Sequence, residues 1–320
     1  MPSISVVIPN YNGKHLLEEY LPTVVAALDS IAVDHEIIVA DDASTDGSVE
    51  FIRLQYPTVR VVVNTENKGF SGNINSGFRV ATKDLVLALN SDVALDINYF
   101  VDQLPLFEDP LLFGTMGSIY EADGRLIDAA KLPVYDGFSL NSTVNATYPI
   151  EPNVVRTTFF LSGANALIDR RKLLELGGMN EIYSPFYMED VDLSVRAWRR
   201  GWKCLYVPTS KCTHAPSSTI AASSPSDRVR IVSRCNKMLF HLFHLEGASL
   251  LRYQIYLATN YLLRWAFGDK QWYKALERMH TLLPQLNHMK REFKTTNPQS
   301  LIEARKHMME GLPAAARRTF

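Results

Sequence analysis

Cysteine is scarce: the 320-residue chain holds three, Cys204, Cys212 and Cys235. An odd, sparse set builds no disulfide framework, and its spacing is not that of a zinc site; it fits a reducing compartment. Long apolar runs are missing. Residues 250–267 come nearest but are broken by Arg252, Gln254, Asn260 and Arg264, whereas a bilayer span needs about 20 largely apolar residues. No basic segment followed by a cleavable apolar run opens the sequence, so a cytoplasmic protein is expected. Glycine and proline, 16 each, are too few for a fibrous chain, and 47% hydrophobic residues exclude a mostly disordered one. There is no G-x-G-x-x-G fingerprint, which disfavours a dehydrogenase. Excess positive charge is missing too: 33 Lys+Arg against 34 Asp+Glu leave a net charge of −1, and no nucleic-acid partner is expected.

That total hides a division. Residues 1–225 hold 17 Lys+Arg and 27 Asp+Glu, a balance of −10, while residues 226–320 hold 16 and 7, a balance of +9. The chain reads as an acidic body, 1–225, followed by a basic helical region, 226–320. The basic region, amphipathic over 228–267, is expected to meet an anionic membrane surface at the inner face of the plasma membrane. Packing on the acidic body or a homodimer interface are the alternatives.

The first hundred residues alternate short apolar runs (4–9, 36–40, 59–63, 85–89) with helix-length segments (14–29, 46–55, 71–82). Runs that are apolar throughout are strands buried on both faces, and the alternation gives parallel βαβ units in a doubly wound α/β sheet. Residues 113–120 and 157–168 are strand-like around a loop-rich stretch, 121–153. A helix is expected at 189–200, a strand at 203–208, a Ser/Pro-rich linker at 215–227 and helices beyond.

Ligands of such sheets sit at the carboxyl ends of the strands, and there this sequence is polar. Asp41-Asp42 follows the second strand, where a carboxylate accepts from a base N3–H or a ribose hydroxyl; the plain alternative is a helix cap. The segment 67–78, NKGFSGNINSGF, offers glycines that admit close backbone approach and the charge of Lys68. Asn90-Ser91-Asp92 ends the fourth strand, where a carboxylate suits Mg²⁺ or Mn²⁺ beside a diphosphate. Glu189, Asp190 and Asp192 open the helix at 189, more acids than capping needs and candidates for a general base. His214 follows the strand at 203 as a metal or phosphate contact, or as a surface histidine.

Taken in order, SVVIPNYNG, EIIVADDASTDGS, NKGFSGNINSGF, LNSD, SGANALIDRRKLLELGGMNE and YMEDVDLSVRAWRRG resemble the family-2 glycosyltransferases, over about residues 3–214. The resemblance implies a GT-A fold, with a Rossmann-like, mostly parallel central sheet flanked by helices and here a C-terminal α-helical appendage. It implies inverting sugar transfer from a UDP- or dTDP-linked donor to a glycan or lipid-linked acceptor. Pro9, Tyr11, Asp41 and Asp42 would hold base and ribose; Lys68, Gly69, Asn73 and Ser91 would line the nucleotide and its phosphates. Asp92 matches the last acid of a D-x-D metal motif whose first acid is replaced by Asn90, and His214 a histidine that completes that site in some relatives. Asp190 matches the catalytic base, with Glu189 beside it. The RCN segment, 234–236, before a basic amphipathic tail looks like the subset that builds bacterial surface polysaccharides, rhamnosyltransferases included. A non-catalytic nucleotide-sugar binder is the competing reading.

Overall fold

The computed structural model describes residues 1–135, 137–145, 153–214 and 225–312. Its first half follows the alternation in the sequence: β1 (Ile4–Asn10), α1 (Lys14–Asp29), β2 (His35–Asp41), α2 (Ser48–Gln55), β3 (Arg60–Val63), α3 (Gly69–Val80) and β4 (Leu85–Leu89). β1 pairs parallel with β2 and β4, and β2 with β3. Short strands follow, β5 (Val93–Leu95), β6 (Leu112–Tyr120), β7 (Leu126–Asp128), β8 (Lys131–Tyr135), β9 (Leu140–Asn145), β10 (Arg156–Thr157) and β11 (Asn165–Asp169). Then come α4 (Arg170–Glu175), α5 (Glu189–Arg199) and β12 (Lys203–His214).

The large sheet runs β10-β12-β6-β11-β4-β1-β2-β3. It is a mixed sheet, parallel over β3-β2-β1-β4 and between β6 and β12, while β11 runs against both β4 and β6. The apolar core of β11, Ala166-Leu167-Ile168, is buried like that of a parallel strand, so its direction is not written in its pattern. Its reversal has a consequence for the site. β6 and β12 regain the direction of β4, so the C-terminal ends of β1, β2, β4 and β12 share one edge with the start of β11. β5 then pairs antiparallel with the end of β12, setting Val93 opposite His214. In the stretch expected to be loop-rich, β8 and β9 form a separate hairpin.

Alternation along each strand builds two apolar layers. Ile4, Val6 and Ile8 of β1 face one layer with Leu17, Leu21 and Val24 of α1, whereas Val7 faces the other with Ile74 and Phe78 of α3. The second layer continues into four further helices, α6 (Ser226–His244), α7 (Gly247–Ala266), α8 (Lys270–Thr295) and α9 (Leu301–Glu310). Cys235, Leu239 and Phe243 of α6, Trp272 and Ala275 of α8 and Met308 of α9 belong to the same core as the sheet. Arg199 adds a polar tie, donating to Gln299 O at 2.8 Å and pairing with Glu246 at 2.7 Å. Of the linker expected at 215–227, residues 215–224 lie outside the described residues, and Ser226 already opens α6.

α3 lies close on the sheet because Gly77 has no side chain. A Cβ there would stand 2.3 Å from Cγ1 of Val7, a buried β-branched residue with little rotamer freedom. Gly77→Ala is therefore expected to destabilise the fold by about 1–3 kcal/mol through overpacking, read as a lower denaturation midpoint at unchanged slope.

Candidate active site

The shared strand edge opens into a cavity of about 590 Å³, a size that suits a small-molecule ligand. Pro9, Asn10 and Tyr11 line it from the end of β1, Asp42 from the end of β2, and Gly69 and Asn73 from the start of α3. Asn90, Ser91 and Asp92 line it from β4, His214 from β12, and Glu189 and Asp190 from α5. Of the twelve residues expected at a site, the structure brings ten to this cavity. Asp41 and Lys68 are not among its lining.

The two aspartates after β2 play different parts. Asp41, 1% exposed, accepts from Asn10 Nδ2 and the Ser44 amide, both at 2.9 Å, and so fixes the turns behind the cavity wall. Asp42 accepts from the Lys68 amide at 2.9 Å, the Gly69 amide at 3.0 Å and Asn64 Nδ2 at 3.0 Å. Lys68 thus meets Asp42 through its backbone, and the residue itself is exposed. Asn73 donates to Ala40 O at 2.9 Å, tying α3 to the end of β2. Gly69 is required twice over: its φ is +73°, and a Cβ would lie 2.9 Å from Pro185 Cα.

The pairing of β5 with β12 sets Asp92 beside His214, with Oδ1 and Nε2 3.1 Å apart. They are not aligned for a hydrogen bond, so Nε2 is buried without one, and so is Oδ1 of Asn90. No set of three His, Cys, Asp or Glu side chains with metal-binding geometry occurs among the described residues. An oxygen and an imidazole nitrogen that converge unbonded do fit a hard divalent cation, since Mg²⁺ takes one or two carboxylates and completes its shell with phosphate and water.

Glu189 and Asp190 follow a strained approach. Tyr187 and Met188, with φ of +73° and +81°, are consecutive left-handed residues other than glycine, costing of order 1–3 kcal/mol each. Asn236 of α6 holds this turn. Its Nδ2, fully buried, lies 2.6 Å from Tyr183 O, 2.9 Å from Phe186 O and 3.0 Å from Tyr187 O. Arg278 of α8 donates to Ser184 O at 2.8 Å. Asp190 accepts from the Gly163 amide at 3.2 Å and from Val191 N at 2.7 Å, and Glu189 Oε2 is buried without a partner. Burial raises both carboxyls above their ordinary range; the charge of Asp190 adds to the rise at Glu189, and the two amides oppose it at Asp190.

The third acid of the cluster turns away. Asp192, with no exposed surface, meets Arg196 Nε at 2.7 Å, His244 Nε2 at 2.9 Å and Tyr183 OH at 3.2 Å. Arg228, which lines the cavity from α6, carries no role in the sequence reading, and Asn236 enters it only as part of the RCN segment. The signal for Asn236 was an amide inside the apolar stripe of Val232, Cys235, Leu239 and Phe243.

Burial pushes the His244 imidazole down to about 4, against the upward pull of Asp192. The unfolded chain therefore binds the extra proton between about pH 6.5 and 4, and stability must fall as pH drops through that window. The loss expected is up to about 3 kcal/mol, and His244→Gln should flatten it in denaturant titrations across this range.

Two family models match the chain: Glycosyl transferase family 2 over residues 5–177 and Glycosyl transferase family group 2 over residues 147–283. An N-acetylglucosaminyl-diphospho-decaprenol L-rhamnosyltransferase of Mycobacterium tuberculosis (strain ATCC 25618 / H37Rv) is 26% identical over 264 residues, 72% of this chain and 84% of the relative. An undecaprenyl-phosphate 4-deoxy-4-formamido-L-arabinose transferase of Edwardsiella ictaluri (strain 93-146) is 39% identical over 94 residues, 28% of this chain and 29% of that protein. Among solved structures, GalNAc-T7 with UDP, GalNAc and Mn²⁺ superposes with a TM-score of 0.65 at 17% identity, over 98% of this chain and 56% of that one. A mannosyltransferase from Pyrobaculum calidifontis in complex with GDP-Man and Mn²⁺ gives 0.54 at 18% identity, over 95% and 86%. These likenesses give the fold as GT-A. With a family model matched over more than half of its length, the chain belongs to glycosyl transferase family 2 and is a glycosyltransferase.

Proposed function

We propose that this glycosyltransferase is inverting, and that it moves a sugar from a nucleotide-diphosphate donor, UDP- or dTDP-linked, to a hydroxyl of a lipid-linked glycan in cell-surface polysaccharide synthesis. The observation that carries the reading is one cavity lined both by the acids Glu189, buried, and Asp190, half-buried, and by the Asp92–His214 pair. The named relatives support it: one transfers L-rhamnose to N-acetylglucosaminyl-diphospho-decaprenol, another acts on undecaprenyl phosphate. UDP or GDP-Man together with Mn²⁺ in two structures of the same fold supports the donor and the cation.

Asp190 is the base. The acceptor hydroxyl gives its proton to an Asp190 oxygen as its own oxygen bonds to the anomeric carbon. The bond from that carbon to the diphosphate breaks on the opposite face, which inverts the configuration. A carboxylate whose pKa burial has raised holds that proton better than one in water, and the Gly163 amide fixes its direction. Glu189 orients the acceptor or the base. Asp92 and His214 would hold Mg²⁺ or Mn²⁺, which offsets the charge of the departing diphosphate when bound. Pro9, Tyr11, Asp42, Gly69, Asn73 and Ser91 form the donor wall, with Asp41 and the Lys68 backbone positioning it from behind.

Asp190→Asn is expected to lower turnover by about 10²–10⁴-fold while calorimetry shows donor binding within a few-fold of wild type; turnover near wild type removes Asp190 from the role. The product's anomeric configuration, read by NMR, should be opposite to the donor's. Asp92→Asn and His214→Ala should each raise the Mn²⁺ concentration needed for activity by about tenfold or more, whereas equal metal titrations would remove the cation from this pair.

A further inference from the structure

Helix α7 carries an outer face that the fold leaves uncovered. Leu251, Ile255, Leu262 and Trp265, with Ala258 between them, recur at intervals of four and three residues and so line one side of the helix. Leu251 and Ile255 are more than half exposed, Leu262 is 72% exposed and Trp265 80%. Tyr261 and Phe267 widen the face at its C-terminal end. On the other side Tyr253 is buried in the core and Leu257 packs against it. Single exposed apolar residues are ordinary on a protein surface; a continuous stripe of them along one helix marks a surface that meets something.

Charge decides what that is. Between residues 247 and 268 there is no acid and there are two arginines, Arg252 and Arg264. A second copy docked antiparallel about Ala258 would set Arg252 of one helix near Arg264 of the other. A parallel copy would set Arg252 against Arg252; Arg264 is already paired with Asp269 at 2.6 Å, so in either arrangement Arg252 finds no carboxylate on the facing helix. Arg252 is exposed, with no ion-pair partner among the described residues. An acid-free helix with a polar flank, an apolar face and aromatic residues at one end, set in a region of charge +9, matches a surface that is apolar below and negative above.

The chain just past the aromatic end is tied to α6. Asp269, just past α7, pairs with Arg234 of α6 at 2.7 Å, and Gln271 donates to Asp227 at 2.8 Å. Asp227 is the neighbour of Arg228, which lines the cavity. The Trp265 and Phe267 end of the stripe therefore comes to the end of α6 that borders the cavity.

We propose that α7 lies flat on an anionic phospholipid bilayer, with its 251/255/262/265 face sunk into the headgroup region and the cavity held beside the membrane. Docking is independent of the reaction assigned above; the advantage it gives, access to an acceptor whose lipid stays in the bilayer, rests on that reading.

The test is sedimentation of the full chain with vesicles of phosphatidylglycerol and phosphatidylcholine, and with phosphatidylcholine alone, at low and high salt. Anionic vesicles should bind at least about tenfold more tightly than neutral ones, and high salt should weaken them. Trp265 fluorescence should shift to the blue on binding, a shift lost in Trp265→Phe. Leu262→Glu combined with Trp265→Glu should lower binding at least about tenfold, with the thermal transition and UDP or dTDP affinity close to wild type. Arg252→Glu should reduce the preference for anionic vesicles. Failure of the wild type to bind anionic vesicles at low salt, or unchanged binding of the double variant, overturns the proposal. A dimer seen by light scattering that the double variant dissolves, with no vesicle binding by either, also overturns it and gives the face to a second copy. A wild type that binds vesicles but neither nucleotide supports docking and counts against the donor reading instead.

Discussion

A carboxylate with no exposed surface keeps its charge only if its partners replace the water it has lost, and Asp192 shows how much chain that requires. Arg196, His244 and Tyr183 meet its two oxygens. Arg196 continues to the carbonyls of Leu176 and Gly178 at 2.6 and 2.8 Å. One buried charge thus joins α5, the turn before it, the end of α4 and the last turn of α6. Breaking such a cluster leaves a buried charge uncompensated, typically at a cost of about 3–5 kcal/mol. Glu189 and Asp190 stand in the turn of α5 that contains Asp192, so their direction into the cavity follows from the hold on their neighbour.

The same dependence ties the C-terminal helical appendage to the site. The turn that leads into Glu189 carries two left-handed residues, and the groups that hold it come from α6 and α8, through Asn236 and Arg278. Several of the region's basic residues are spent internally: Arg234 and Arg264 on Asp269, Lys290 on the carbonyls at the end of α6. A charge count of +9 therefore overstates what is offered outward. The uncovered stripe of α7 is the more telling feature of the region.

Much of this was legible in the chain because the relevant patterns are local. β1, β2 and β4 were plain as apolar runs, and the polar residues just beyond them had to fall on one edge once the strands were parallel. The reversal of β11 was not legible, since a buried strand looks alike in either direction. The acid cluster was half legible. Residues two apart on a helix point about 200° away from one another, so Asp190 and Asp192 were never able to serve one cleft. Which of them faces the cavity depended on Asn236 and His244, some fifty residues distant; His244 shows in the chain only as a polar group within an apolar helical stripe, and the RCN segment marks Asn236 without showing what it holds. Lys68 was read for its charge, although its contribution here is an amide hydrogen.

The antiparallel pairing of β5 with β12 bears on variation as well as on chemistry. Asp92 and His214 are brought together by strand register, not by the packing of the 121 residues between them. A register is indifferent to the length of the loops it leaps over, but a single residue added within β12 would turn the imidazole to the opposite face of the sheet. The exposed turn between β6 and β7 is therefore free to lengthen, shorten or change its surface while the pair stays put. In a fold built this way, that turn can diverge without any rebuilding of the strand edge where Asp92 and His214 meet.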